Sequence, residues 1–396
     1  PRNVWAVTAT SFLTDASTET ITGLLPFYLA ETLGASPAAI GLIEGIAEAT
    51  ASLVKLASGW LSDRLGERKP LAVFGYALST GSKAMLLAAV TWPAVLVARF
   101  LERGGKGIRT APRDALLADS IQPESRGVAF GLHRAGDTAG AVVGLSVALI
   151  VVVTLEAAGA PLALPTFRAA VLISLIPAAA AVLILAAFAR EVRSTSAPRG
   201  QASSIREVLA EPRFRGFLLA VLFFSLGNSS DAFLLLRAGS LGLDIPRALL
   251  MMIVLNIVYA AFATPVGSLS DRVGRKTVLI AGWGLYAAVY LLLGLADAAW
   301  QVWPIVVAYG LYYAATEGVG KAFIADLVPS ERRGRGYGAY HAAIGMAALP
   351  ASLMGGLAWQ AVGPSGPFLL GAVLAVVGLF LLWRVPARAV VGDGAA

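Results

Sequence analysis

At 396 residues, with 57% hydrophobic and only 14% charged content, the chain is far more apolar than a soluble globular protein, whose charged share is about 25%. Apolar runs recur from end to end, so a soluble enzyme with one anchor is excluded and lipid is the main solvent, while the absence of cysteine excludes disulfides, thiolate metal sites and cysteine nucleophiles. A net charge of +7 would suggest nucleic acid in a soluble chain, but here the basic residues fall in short connections between apolar runs, where membrane topology accounts for them and no nucleic-acid partner is called for.

Apolar runs bounded by charge clusters or Pro/Gly turns predict twelve helices, at 5–32, 38–61, 71–92, 94–118, 127–155, 168–189, 214–242, 246–269, 277–298, 302–327, 336–361 and 366–385. The first carries Asp15 and Glu19 and lacks a cleavage-like small-residue site, so it reads as a membrane helix and not as a removable leader. Lys and Arg collect in alternate connections: Arg64, Arg68 and Lys69; Arg126; Arg190 to Arg213; Arg272, Arg275 and Lys276; Arg332, Arg333 and Arg335. The positive-inside rule places these connections and both termini in the cytoplasm. The long polar stretch 191–213, rich in Ser, Arg and Pro, reads as a cytoplasmic linker between 1–190 and 214–396, each a six-helix bundle.

The two halves repeat. Gly59-Trp-Leu-Ser-Asp63-Arg64-Leu-Gly66-Glu-Arg-Lys69 returns as Gly267-Ser-Leu-Ser-Asp271-Arg272-Val-Gly274-Arg-Lys276, and Ala118-Asp119 returns as Ala325-Asp326. Both markers recur at a spacing of 207 to 208 residues, which fits duplication of a six-helix unit with a site between the copies. This loop resembles the signature loop of the major facilitator superfamily, in the style of bacterial proton-coupled efflux carriers. The resemblance covers nearly the whole chain. It implies an all-α membrane protein of twelve transmembrane helices in two six-helix bundles, and a cytoplasmic gate formed by Gly59, Asp63, Arg64, Gly66, Gly267, Asp271, Arg272 and Gly274. Asp63 and Asp271 would then pair with Arg or cap a helix across the seam, Gly59 and Gly267 would allow close helix approach, and the whole would act as a monomer in a bacterial inner membrane. Arg99-Phe-Leu-Glu102-Arg103-Gly is similar to the family's Arg-x-x-Gln-Gly segment, with Glu102 for Gln and Arg103 added. Gly131, Gly136, Gly140 and Gly144 are similar to the glycine-rich fifth helix of its antiporters, without their Gly-Pro pair.

Ionisable residues at bilayer depth cost roughly 2.5–3.5 kcal/mol or more and normally face a cavity or a partner. Asp15 and Glu19 share one face of the first helix, and Glu44, Glu48 and Lys55 one stripe of the second. With Asp137 of the fifth helix they are the candidates for carrying a proton, and Lys55, Arg103 and Arg134 are the candidate counter-charges. The second half offers Asn228, Asp231, Asn256, Tyr309, Tyr313, Glu317 and His341 as candidate cavity residues.

No His-Glu-x-x-His, Cys/His cluster or phosphate loop is present, since Gly104-Gly105-Lys106 is followed by Gly107 where Ser or Thr is needed. Enzyme chemistry, a cofactor and ATP as energy source are therefore not expected, and no resident metal site is assigned. The expected function is alternating-access secondary transport, with protons and a small-molecule or ion substrate as partners in the lipid bilayer. Proton-coupled export of a small organic compound leads. Transport of a metal cation through the carboxylate cluster, or uncoupled facilitation, is the alternative.

Overall fold

The computed structural model describes residues 2–122, 126–157, 160–192, 205–329 and 332–386, with the side chains of Asp63, 126–128 and 205–206 left outside the description. Most of the stretch expected to be a linker, and the C-terminal tail from 387, therefore lie outside the described residues. Twelve long helical segments follow one another: α1 Arg2–Thr22, α2 Pro37–Leu65, α3 Lys69–Met85, α4 Trp92–Asp119, α5 Arg126–Leu155, α6 Leu164–Phe188, α7 in two pieces Pro212–Gly227 and Ala232–Ser240, α8 Ile245–Val273, α9 Arg275–Leu295, α10 Val302–Leu327, α11 Arg333–Val362 and α12 Gly366–Arg384. Eight of them are long and apolar enough to cross a membrane. The other four are α1, α3, α4 and α10; α3 has only 17 residues, and polar or ionisable side chains lower the hydropathy of α1, α4 and α10.

Helix punctuation repeats with the sequence. At the start of α2 the Ser36 side chain accepts a hydrogen bond from the Ala39 N–H and Pro37 occupies the first turn; α8 opens with Asp244 accepting from the Arg247 N–H and Pro246 in the first turn. Both helices run 29 residues. Each ends at a glycine with positive φ, Gly66 at 67° and Gly274 at 96°, a conformation other residues adopt only at a cost. Two helices expected to be continuous are not. The first run breaks at Gly23–Leu24 and resumes as Leu25–Phe27 and a wide turn over Tyr28–Thr32, and α7 is interrupted across Asn228–Asp231.

Packing shows the duplication. Within the first half α1 lies on α5 and α6, α4 on α2 and α3, and α3 on α6; within the second half α7 lies on α11 and α12, α10 on α8 and α9, and α9 on α12. The halves meet chiefly along α2–α11 and α5–α8, pairs that the internal repeat interchanges. Each half is also fastened by the same ion pair: Arg68 to Asp119 at 2.9 Å and Arg275 to Asp326 at 2.5 Å. The two repeated sequence markers are thus partners in space.

Without a hydrophobic drive between helices in lipid, close association needs small residues that let backbones touch. On α5, a Cβ at Gly136 would lie 2.8 Å from the Thr8 methyl, and Cβ atoms at Gly140 and Gly144 would overlap the backbone carbonyls of Phe12 and Ala16. Gly131, on the same helix, meets nothing. A second seam joins α2 to α11, where Gly41 faces Ser352, Gly45 faces Leu349, Gly345 faces Ser52 and Gly356 faces Pro37. Further along, at the end carrying the basic connections, Gly338 stands 3.9 Å from Leu56 and Gly334 has open space around it. The halves are zipped at one end and splayed at the other.

Gly140→Leu is expected to destabilise the protein by roughly 1–3 kcal/mol through overpacking, seen as a lower melting temperature in detergent, whereas Gly131→Leu leaves it unchanged. Equal melting temperatures for the two variants would contradict the α1–α5 packing.

Candidate functional site

Three cavities follow one another along the interface. The first, about 580 Å³, opens at the basic end and is lined by Arg113, Asp114, His133, Arg134, Asp137, Tyr259, Gly267, Asp271, Arg275, Glu317 and Lys321. The second, about 410 Å³, is central and is lined by Glu19, Thr22, Gly23, Glu44, Glu48, Arg103, Lys106, Asn228 to Asp231, Tyr313 and Ser352. The third, about 430 Å³, lies at the far end against Phe27, Glu31, Glu156, Asp244 and Pro246. Successive stretches of α5 line all three, Phe130–Asp137, Leu145 and Val152 with Val153, and Glu156 just past its end joins the third.

The wall of the central cavity in the first half is a charge network. Arg99, only 2% exposed, donates from Nη2 to both Glu44 oxygens at 3.1 and 3.2 Å and from Nη1 to Glu102 Oε2 at 3.0 Å. Arg103 Nη1 lies 3.1 Å from Glu48 Oε1, and its Nε 3.6 Å from Glu102 Oε2. Behind this wall, buried Lys83 donates to the Ser17 and Thr18 hydroxyls at 2.7 and 2.9 Å. Helix α4 brings Arg99, Glu102, Arg103 and Lys106 together because they recur every three or four residues on one stripe, and Gly105 and Gly107 let α3 and α2 come close enough to be reached.

Of the expected proton carriers, Glu44 and Glu48 are held by guanidinium groups. Glu19 faces the central cavity with no Lys or Arg within ion-pair distance among the described residues, and Asp15 likewise makes no ion pair there. Asp137 lines the basic-end cavity with His133 at 3.8 Å and, among the described residues, no Lys or Arg within ion-pair distance, although Arg113 and Arg134 line the same cavity. The four carboxylates of α1 and α2 are therefore not one open cluster. Of the expected counter-charges, Arg103 lies against Glu48, Lys55 makes no ion pair among the described residues, and Arg134 pairs with Glu317 of the other half and donates to Tyr259 Oη at 3.1 and 2.9 Å. Tyr259 in turn donates to Glu317 Oε2 at 2.6 Å. This triad joins α5 to α8 and α10 on the wall of the basic-end cavity.

In the second half Asn228 and Asp231 line the central cavity, as does Tyr313. Tyr309 and Tyr313 donate to Asp231 at 3.1 and 3.0 Å. Tyr286 donates to the Gly227 carbonyl at 3.1 Å and to Asn228 Oδ1 at 3.3 Å, satisfying the backbone freed by the break. Asn256 turns away to donate to the Met252 carbonyl, Glu317 belongs to the basic-end cavity, and His341 packs edge-on to Tyr340, outside the central lining.

The expected gate residues behave unequally. Gly59 stands close to Ala111 of α4, but Gly267 has open space, so close approach is required at one copy only. Asp271 pairs with Arg275 of its own half at 3.2 Å and not across the seam; Arg272 is exposed, and Arg64 lies over the Trp60 ring. The Asp63 side chain lies outside the described ones. Sequence reasoning missed Tyr259, whose only signal is a hydroxyl within an apolar run, and the acids of the far cavity, signalled by connections rich in Glu and Asp but poor in Lys and Arg.

Arg99→Met is expected to cost on the order of 3–5 kcal/mol by leaving Glu44 and Glu102 buried without a partner, while Arg99→Met combined with Glu44→Gln costs less than the single change. Additive losses in thermal unfolding would contradict the network.

A model of the Major Facilitator Superfamily matches residues 7–255 and 217–394. The chain is similar to an uncharacterized MFS-type transporter of Methanocaldococcus jannaschii, 34% identical over 393 residues that make up 96% of this chain and 94% of that protein. A shorter similarity, 30% over 121 residues, covers 31% of this chain and 30% of the class B tetracycline resistance protein of Escherichia coli. The fold matches that of the nucleoside transporter NupG with a TM-score of 0.82 at 14% identity, over 97% of this chain and 99% of that one. Two overlapping matches that together span nearly every helix, and a relative aligned almost end to end, agree with the duplicated architecture: the chain belongs to the Major Facilitator Superfamily, a family of membrane transporters.

Proposed function

We propose that the protein is an alternating-access secondary carrier that exports a small organic compound in exchange for protons. All twelve helical segments cross the bilayer in this reading, with the basic connections and both termini cytoplasmic, and 1–190 rocks against 214–396 about the α2–α11 and α5–α8 contacts. The observation that carries it is a set of carboxylates with no Lys or Arg within ion-pair distance among the described residues. Asp137 at the basic-end cavity, Asp15, and Glu19 at the central cavity form a series in which Asp15 interacts electrostatically with both of the others. Unpaired carboxylates joining two cavities can be charged or neutral as access alternates, whereas Glu44 and Glu48 are fixed by arginine. The similarity to the class B tetracycline resistance protein favours export of an organic compound. A metal cargo is less well supported, because among the described residues no three His, Asp or Glu side chains converge as a metal site needs.

In proteoliposomes with an internal pH dye, addition of an organic compound is expected to start proton movement, and Glu19→Gln is expected to slow it by about tenfold or more, a barrier change of about 1.4 kcal/mol. Coupled flux at wild-type rate in Glu19→Gln, Asp15→Asn and Asp137→Asn alike would refute proton coupling through this series.

The Arg134–Tyr259–Glu317 triad acts as an inner latch between the basic-end and central cavities. Because the natural chain has no cysteine, Ala348→Cys on the central cavity wall can report access by its rate of labelling with a hydrophilic maleimide. Arg134→Gln in that background is expected to raise the rate several-fold, and an unchanged rate would rule the latch out.

A further inference from the structure

We propose that the interruption of α7 at Asn228–Asp231 binds a protonated amine, so that the cargo of the carrier proposed above is an organic cation held by its N–H donors. The inference rests on that carrier reading and adds to it the charge and donor chemistry of the cargo.

The break has a counterpart. The spacing of 207 to 208 residues between the two halves sets Gly23 and Leu24, where the first run breaks, against the Ser230–Asp231 region where α7 breaks. Both interruptions border the central cavity. Interrupted helices at corresponding positions of two repeats expose backbone and side-chain oxygens at mid-membrane depth, where they serve as ligand groups. At the first break the buried Thr22 Oγ1 has no hydrogen-bond partner among the described residues, and at the second Ser229, only 5% exposed, stands beside the Tyr290 hydroxyl. Thr22 and Ser229 both line the central cavity, and the Thr22 hydroxyl keeps its capacity to hydrogen bond to a ligand there.

The two breaks differ in charge. Asp231 receives two tyrosine hydroxyls but has no Lys or Arg within ion-pair distance among the described residues, whereas Glu44 and Glu48 opposite are matched by Arg99 and Arg103. The tyrosines hold the carboxylate in place but bring no positive charge to it, and a cationic ligand would supply that charge. The groups around it, a carboxylate and hydroxyl lone pairs, accept hydrogen bonds, which suits an ammonium bearing N–H better than a quaternary nitrogen or a carboxylate.

Charge along the three cavities points the same way. Acids and bases are balanced at the basic end, acids outnumber bases at the centre, and at the far end Glu31, Glu156 and Asp244 are accompanied by no Lys or Arg in the lining. A cation travelling outward meets progressively more favourable potential, and an anion the reverse.

The test uses the full chain in nanodiscs at fixed pH and three probes of one shape: 2-phenylethylammonium, its N,N,N-trimethyl counterpart and 3-phenylpropionate. Thermal shift and calorimetry are expected to show binding in the order primary ammonium, then trimethylammonium, with no binding of the carboxylate. Asp231→Asn weakens the ammonium by about tenfold or more, and Asp231→Glu recovers part of the loss; the melting temperatures of both unliganded variants report whether they fold. Preferential binding of phenylpropionate, equal ammonium affinity in Asp231→Asn, or no ammonium binding would each overturn the proposal, as would sodium chloride alone reproducing the Asp231-dependent shift, which would make the break an inorganic cation site. Flux in vesicles separates the two readings: Asp231-dependent ammonium binding without transport refutes the carrier but not the site, and transport of anions with no ammonium binding refutes the site but not the carrier.

Discussion

A guanidinium at mid-membrane depth has to be matched by a carboxylate, and the organisation of the first half follows from meeting that requirement around Arg99 and Arg103. Two arginines on α4 bind acids of α2 while sharing Glu102 on their own helix. The result fixes α2 against α4 at the depth of the central cavity and leaves a polar wall facing inward. The arginines engage Glu44, Glu48 and Glu102, whereas Glu19 and Asp15 of α1 make no ion pair among the described residues. Pairing therefore separates carboxylates held by arginine from those that make no ion pair among the described residues.

The second constraint is distance between backbones. Glycines on α5, and on both α2 and α11, replace the side chains that would otherwise keep the helices apart. On α5 they hold a half together, and on α2 and α11 they form the contact between halves. The seam relaxes toward the basic end, where the largest cavity opens and where the Arg134 triad supplies a polar contact instead of close packing. Carrier function needs such a division: a hinge that persists and a contact that can be released.

Much of this was legible in the residues. The duplicated Gly-x-x-x-Asp-Arg-x-Gly loop announced two halves, and the structure adds that its Arg68 and Arg275 bind the very aspartates of the second repeated marker. The α4 stripe announced buried charge. Partner choice was not legible, because spacing along one helix fixes a face but says nothing of which helix lies opposite; Arg134 was accordingly assigned to first-half acids when its partner is Glu317. The α7 break was also hidden. Asn228-Ser-Ser-Asp231 contains neither Pro nor Gly, and only the tyrosines from α9 and α10 that satisfy its carbonyl and carboxylate make an open backbone stable there.

The seam between α2 and α11 has a thermodynamic character unlike that of the triad. Its contacts are backbone and small side chains at van der Waals range, an attraction that fades within an ångström or so of separation and is indifferent to dissolved ions. The Arg134–Glu317 pair is half exposed in the basic-end cavity and acts through a field that mobile ions can shield. Ionic strength thus reaches one face of the molecule and not the other.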